Sequence, residues 1–326
     1  MNFIADAMIS LRKIQDARKA IAPFVKSTPL VRSQFLSNLC NGDVLLKLEN
    51  LQITNSFKIR GAFSRLLHLS AEERMGIITA SAGNHGQAVA YAARKLNFSA
   101  RIVVPKTTPK AKIEGIKKYD ADLVLFGDIY DEAEQKAKEL ARKDGRTYIS
   151  PYDDELIIAG HGTIGLEIIE ALPNVDAVIV PVGGGGLVSG ISIAIKSIKP
   201  NVQIIGVQSE ASPVMYESLK AGKIVKARKA ETIAEGLSGG IEKGSMTFKI
   251  AQEYVDEVVL VREETIRRAV YLLWAYEKQV TEGSGAAAIA PIMENKSKFT
   301  GKTVVAVITG GNIDVKLFRS ILASER

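Results

Sequence analysis

The sequence predicts an α/β protein built on a mainly parallel, doubly wound sheet. Three observations lead there. The chain has 326 residues, and at roughly 150 residues per domain that suggests about two domains. Short β-branched runs alternate with longer stretches whose apolar residues recur at three- and four-residue steps, which is the pattern of βαβ units. Several of the strand runs are apolar almost throughout, as expected when helices cover both faces of a sheet.

Taken in order, the first element is an amphipathic helix. Ile4, Met8, Leu11 and Ile14 fall on one face, Asp6, Arg12 and Lys13 lie between them, and Pro23 follows the end. A secretory leader would need a basic start and an unbroken apolar run, which this stretch lacks. Strands are expected over Val44–Leu48, Gly76–Ala80, Arg101–Val104, Asp122–Phe126, Ala177–Val182, Gln203–Val207 and Val304–Thr309. Helices are expected over Gln87–Leu96, Ala111–Tyr119, Tyr130–Lys143, Gly165–Leu172 and Arg267–Lys278, and directly after the glycines that follow Val182. The turn-rich stretch Ile149-Ser150-Pro151-Tyr152-Asp153-Asp154 is a plausible crossing between domains.

Composition narrows the function. Apolar residues make up 46% and charged residues 24%, ordinary values for a globular chain with a large core. Lys plus Arg is 43 and Asp plus Glu is 36, giving +7. The basic stretches Lys106–Lys118 and Lys220–Lys229 carry no interleaved aromatics, so a nucleic-acid partner is not expected. No run of apolar residues reaches membrane-spanning length. Cys40 is the single cysteine, which excludes an intramolecular disulfide framework and suits a reducing compartment. His68, His85 and His161 have no zinc-site spacing. No bound metal is expected, and a cytoplasmic enzyme or binding protein remains.

Ligands of such sheets sit at the carboxyl ends of strands, and three turns there stand out. After the strand ending at Val182 comes Gly183-Gly184-Gly185-Gly186-Leu187. Consecutive glycines let backbone approach a ligand closely, and the N–H groups of the following helix favour an anion. Val188 and Ser189 break the dinucleotide spacing, and Ile191-Ser192 replaces the Lys-Ser/Thr pair of a triphosphate loop. A small phosphate monoester is the better guest. Ser81-Ala82-Gly83-Asn84-His85-Gly86 follows the strand ending at Ala80. Ser81 and Asn84 suit helix capping, and the turn could hold a carboxylate on backbone N–H groups, although without other evidence an ordinary cap is the better reading. Thr309-Gly310-Gly311-Asn312 closes the last strand with a hydroxyl placed to touch a ligand in the crevice, which alone is weak evidence.

Lysine can act covalently when its amine is desolvated and meets a carbonyl. Lys58, in Ser56-Phe57-Lys58-Ile59-Arg60-Gly61-Ala62, precedes all three turns. In that order the four motifs resemble the fold-type-II pyridoxal-phosphate enzymes, most closely the serine/threonine dehydratases, which include serine racemase. Lys47-Leu48-Glu49-Asn50, Pro151-Tyr152-Asp153-Asp154, Gly162-Thr163-Ile164-Gly165-Leu166-Glu167 and Val280-Thr281-Glu282-Gly283 are also similar to short threonine dehydratases. The resemblance runs from about residue 20 to 316.

The resemblance implies two domains, each with a mainly parallel twisted sheet flanked by helices. Residues 1–75 and 153–326 would form the large coenzyme-binding domain, and 76–152 a small domain contributing the asparagine turn. Pyridoxal 5'-phosphate would be the cofactor. Lys58 would join its aldehyde as a Schiff base, Phe57 would lie near the ring, Asn84 would bond the ring hydroxyl, and Gly183, Gly184, Gly185, Gly186 and Leu187 would cradle the phosphate. Thr309 stands where the family has serine or cysteine facing the ring nitrogen. A neutral hydroxyl there would favour prompt loss of the β-hydroxyl over transamination. Ser81, Asn84 and His85 would hold the substrate carboxylate, and Lys58 would serve as base at Cα. The implied reaction is deamination of L-threonine, and of L-serine, by α,β-elimination of water, giving 2-oxobutanoate or pyruvate and ammonia.

Departures from the family pattern sharpen this. Serine racemases place a second acid/base serine where this chain has Ala82, so elimination is favoured over racemisation. A divalent cation is often held after the strand ending near Val207, but in Gln208-Ser209-Glu210-Ala211-Ser212-Pro213 only Glu210 is acidic. His161 replaces the glutamine of close relatives and is expected to be structural or near the cofactor, not a base. The chain stops soon after Asp314, so a separate C-terminal regulatory domain is not expected, whereas a nucleotide effector at an interface is compatible. A homodimer or homotetramer is typical of the family.

Other readings are weaker. Gly236-Leu237-Ser238-Gly239-Gly240 has the form of a hydrolase nucleophile elbow, but no apolar strand precedes it and every histidine lies before Ser238. Within the family, Ser238 would lie near the substrate. β-Replacement enzymes follow the lysine with Asp-Arg, whereas here Ile59-Arg60-Gly61 follows. A non-catalytic sensor of a phosphorylated ligand would not need Lys58.

Overall fold

The computed structural model describes residues 9–228 and 230–325, and among them ten strands form two sheets. The strands are β1 (Leu30–Arg32), β2 (Asp43–Leu48), β3 (Ile77–Ala80), β4 (Ala100–Val104) and β5 (Asp122–Leu125), then β6 (Thr147–Tyr148), β7 (Ala177–Pro181), β8 (Gln203–Ser209), β9 (Glu257–Val261) and β10 (Thr303–Ile308). The larger sheet runs β1-β2-β10-β7-β8-β9, and only β1 is antiparallel to its neighbour. The smaller sheet, β5-β4-β3-β6, is parallel throughout.

Register explains why the strands of the larger sheet read as continuous apolar runs. Val44, Val304 and Ala177 lie side by side, as do Leu46, Ala306 and Ile179, and they bury one face against the helices Glu263–Glu277 and Ala290–Glu294. Val178, Val180, Val305 and Val307 point the other way, against the helices Gly186–Ile198 and Met246–Tyr254. Alternation in a strand normally separates an apolar face from a polar one, so two buried faces require apolar residues at every step. The smaller sheet is built likewise. Ile77, Ile102 and Val104 pack with the helices Lys58–Leu67 and Asn84–Lys95, while Ile78, Ala80 and Val103 pack on Ala133, Ala137 and Ala141 of the helix Tyr130–Asp144.

All seven expected strands form, with ends shifted by no more than two residues. Three were not anticipated. β1 and β6 are too short to leave a periodic signal, whereas Val258-Val259-Leu260-Val261 in β9 is a readable run at the sheet edge. The helix expected over Gly165–Leu172 begins ten residues earlier, at Glu155, because Asp154 caps it by accepting from Leu156 N and Ile157 N. The first helix starts at Leu11, where Ser10 accepts from Lys13 N, and Ile4 and Met8 lie outside the described residues. Among the described residues no helix is long and apolar enough to cross a membrane. The carboxyl ends of β2, β3, β7 and β10 run into the segments 49–58, 81–86, 182–186 and 309–312, where the expected site residues lie.

Candidate active site

Lys58 opens the helix Lys58–Leu67. The chain just before it is pinned to the end of β10, where Phe57 N donates to Thr309 O (3.1 Å) and Ser56 bridges Gly310. From there the Lys58 amine donates to Pro151 O at 2.6 Å. The residue is half-buried, and surrounding protein desolvates the amine and lowers its pKa to about 8. A desolvated, partly neutral amine is the form that condenses with carbonyls.

The next residue along, Tyr152, packs against the tetraglycine turn. A Cβ on Gly184 would fall 2.5 Å from the Tyr152 ring, and one on Gly186 would fall 2.8 Å from Tyr152 O. A Cβ on Gly183 would meet Gly236 O at 2.7 Å, and Gly185 adopts φ +92° against Thr247. Each position therefore needs glycine for a steric reason. Thr247 Oγ1 fixes the loop further by donating to Gly184 O (2.6 Å). The helix Gly186–Ile198 that follows has no side-chain cap, which leaves the N–H groups of its first turn for an anion. Leu187 is buried in the core beneath, in a cluster that Phe57 also joins. Lysine, the Pro151-Tyr152 turn and the glycine cradle thus form one continuous wall. It suits a phosphorylated aldehyde: an amine for the carbonyl and a bare-backbone cradle for the phosphate.

The asparagine turn meets the segment that follows β10. Its helix begins at Asn84 rather than at Gln87, and Gly83 occupies the cap without any side-chain bond. The capping expected of Ser81 and Asn84 is therefore not seen. Ser81 Oγ instead accepts from Gly83 N (3.2 Å). Asn84 Nδ2 donates to Glu282 Oε1 (2.6 Å), and its Oδ1 accepts from Asn312 Nδ2 (2.7 Å). The His85 ring is buried, with Nε2 against Thr79 Oγ1 and Ile149 O. Burial, reinforced by the nearby Lys58 charge, lowers its pKa to about 3. Thr309 is also buried, with Oγ1 donating to Ser284 O (3.3 Å). His161 lies edge-on to Phe57, with ring centroids 4.7 Å apart, and burial holds it well below the usual histidine range. It is therefore neutral beside the lysine.

Two groups of residues carried no role in the sequence reading. Glu282 is the carboxylate that meets Asn84. Arg60, two residues beyond the lysine, is buried with Glu49 and Lys47, and the half-buried Glu167 joins them. Its guanidinium bonds Glu49 twice at 2.8 Å and Glu167 at 2.7 and 2.9 Å. Desolvation opposes the Arg60 charge, but the two carboxylates outweigh it and raise the pKa above its ordinary value. These residues lay within stretches noted for resemblance, and that was their only signal, since partners distant in sequence leave no spacing to read. Ser238 sits on an exposed turn with Oγ donating to Glu235 O (2.8 Å), with neither strand before it nor helix directly after.

Comparison with known proteins is consistent with this geometry. A family model described as "Pyridoxal-phosphate dependent enzyme" matches residues 21–310. The chain is 45% identical to the L-threonine ammonia-lyase of Thermotoga maritima, over 97% of this chain and 78% of that protein. It is 42% identical to the catabolic L-threonine dehydratase TdcB of Escherichia coli K12, over 97% and 96%. Among solved structures, the processed threonine deaminase isoform 2 of Solanum lycopersicum superposes with a TM-score of 0.91 at 38% identity, covering 96% of this chain and 92% of that one. Maize serine racemase gives the same TM-score at 30% identity, covering 98% of both.

Proposed function

The chain belongs to the family of pyridoxal-phosphate dependent enzymes, and from that premise we propose that it is an L-threonine ammonia-lyase. It would remove the elements of water from L-threonine and release 2-oxobutanoate and ammonia, with L-serine giving pyruvate by the same route. The observation that carries this reading is the Lys58 amine, desolvated and bonded to the carbonyl of Pro151, next to the residue that closes on the glycine cradle.

When bound, the coenzyme supplies an aldehyde for amines and an electron-poor ring that accepts the electron pair left at Cα. Lys58 would hold it covalently, Gly183 to Leu187 would hold its phosphate, and Phe57 would flank the ring. Asn84 would reach its hydroxyl, and Thr309 would face the ring nitrogen. On the substrate side, Ser81, Asn84 and the backbone at His85 would bind the carboxylate at the start of the helix Asn84–Lys95. Lys58 would serve as the base that takes the Cα proton, and an amine whose pKa burial lowers to about 8 is suited to that task. His85 and His161 are held neutral and add no competing charge. Position 82 bears alanine, which can neither give nor take a proton on the opposite face of Cα.

The test is direct. The purified protein should carry a visible absorption band, and borohydride should trap the coenzyme on the peptide containing Lys58. Incubated with L-threonine, it should release 2-oxobutanoate faster than it releases pyruvate from L-serine, with little inversion of either serine enantiomer. Inversion exceeding oxo-acid release would make the chain a racemase instead. We further place the reaction in the cytoplasm and the working form as a homodimer or homotetramer, to be read from light scattering. A nucleotide effector at a subunit interface is compatible with that assembly.

A further inference from the structure

Glu282 precedes the short helix Gly283–Ala286, and its Oε1 accepts from Asn84 Nδ2 at 2.6 Å. The amide it meets cannot turn over. Asn312 Nδ2 donates to Thr54 O (2.9 Å) and to Asn84 Oδ1 (2.7 Å). A backbone carbonyl only accepts, so Asn312 is fixed, and it fixes Asn84 in turn. With Oδ1 engaged and one Nδ2 hydrogen on Glu282, Asn84 has one donor left. Glu282 N donates to Gly310 O (3.1 Å), and a Cβ on Gly310 would fall 2.6 Å from Glu282 Oε1, so the carboxyl lies directly against that glycine.

We propose that Glu282 is the positioning residue for Asn84: its carboxylate holds the amide so that the second Nδ2 hydrogen is presented to the coenzyme ring. This rests on the functional reading above and assigns the carboxylate as the working form. Burial raises the Glu282 pKa to about 7, the Asn84 bond opposes that rise, and nearby Glu235 adds to it while Lys112 offsets it. Glu282 accepts hydrogen bonds from the Asn84 amide and from Ala286 N and donates one to Gly310 O, and none of these partners is titratable.

Because the protonated form is favoured in the fold, the penalty is absent below the ordinary carboxyl value of 4.5 and complete above about 7. Coenzyme-free wild type should therefore lose thermal stability, relative to E282Q, as pH rises across that window. Equal slopes for the two proteins would overturn the assignment. In the holoenzyme at pH 8, E282Q keeps an acceptor for Asn84 but not its charge, so its activity should lie between those of wild type and E282A, and the fall in kcat/KM on acidification through about 7 should flatten. E282A should lower kcat about 10- to 100-fold, the worth of a hydrogen bond to a charged group, with KM little changed. The double variant N84A/E282A should be no worse than N84A alone, because Glu282 acts through Asn84; losses that multiply would sink the proposal. If wild type itself releases no oxo acid from threonine, the functional reading fails, while the pH slopes of the coenzyme-free protein still decide whether Glu282 ionises within the fold.

Discussion

A single methyl group is enough to probe the phosphate cradle. Gly184 is tolerated where it is because nothing projects from its Cα toward the Tyr152 ring, only 2.5 Å from where a Cβ would sit. Tyr152 is itself held, since its hydroxyl accepts from Glu242 N (3.1 Å), so the ring cannot swing aside freely. Overpacking of this kind typically costs about 1–3 kcal/mol. Gly184→Ala should accordingly weaken coenzyme binding by roughly tenfold or more, read by titrating coenzyme-free protein and following the visible band. An unchanged affinity would mean that the turn does not grip the phosphate. The same steric reasoning applies at Gly185, where φ +92° would strain any side chain.

At the scale of elements, the helix Lys58–Leu67 is fastened by a buried charge network rather than by a capping side chain. Arg60 on that helix, Glu49 in the turn after β2 and Glu167 on the helix Glu155–Ala171 meet in one cluster. Lys47 of β2 adds an ion pair to Glu167 and a bond to Thr28 O (2.6 Å). Two positive and two negative groups leave no net charge, which is what makes the burial tolerable. Arg60→Met would strand the Glu49 carboxylate and leave Glu167 to Lys47 alone. It should destabilise the protein by about 3–5 kcal/mol in urea unfolding, because the cost falls on the groups left behind. A loss below about 1 kcal/mol, the range of exposed pairs, would show that water reaches the cluster.

At the scale of the molecule, two ion pairs span from helices of the smaller sheet to the segment over the glycine turn. Lys112, on the helix Lys110–Lys117, pairs with Glu235, and Lys138, on the helix Tyr130–Asp144, pairs with Glu242 at 3.2 Å. Both are partly exposed, so each should contribute at most about 1 kcal/mol and be screened by salt. Added salt should therefore raise KM for L-threonine in the wild type and have little effect in the double variant E235Q/E242Q. A parallel salt response in the two proteins would remove these pairs from any role in holding the cleft closed.

By itself the sequence determined the α/β class, seven of the strands, the glycine turn and the lysine, because each is written in consecutive residues. Apolar runs mark strands buried on both faces, and Gly183 to Gly186 mark a backbone that must come close to something. Tertiary structure alone decided what those residues face. Asn84 lies 198 positions from Glu282 and 228 from Asn312, and Arg60 lies 107 from Glu167. Strand order, β10 between β2 and β7, brings such partners together, and chain spacing carries no record of it. The buried His85 ring and the start of its helix at Asn84 were settled the same way, by packing that overrides local capping preference.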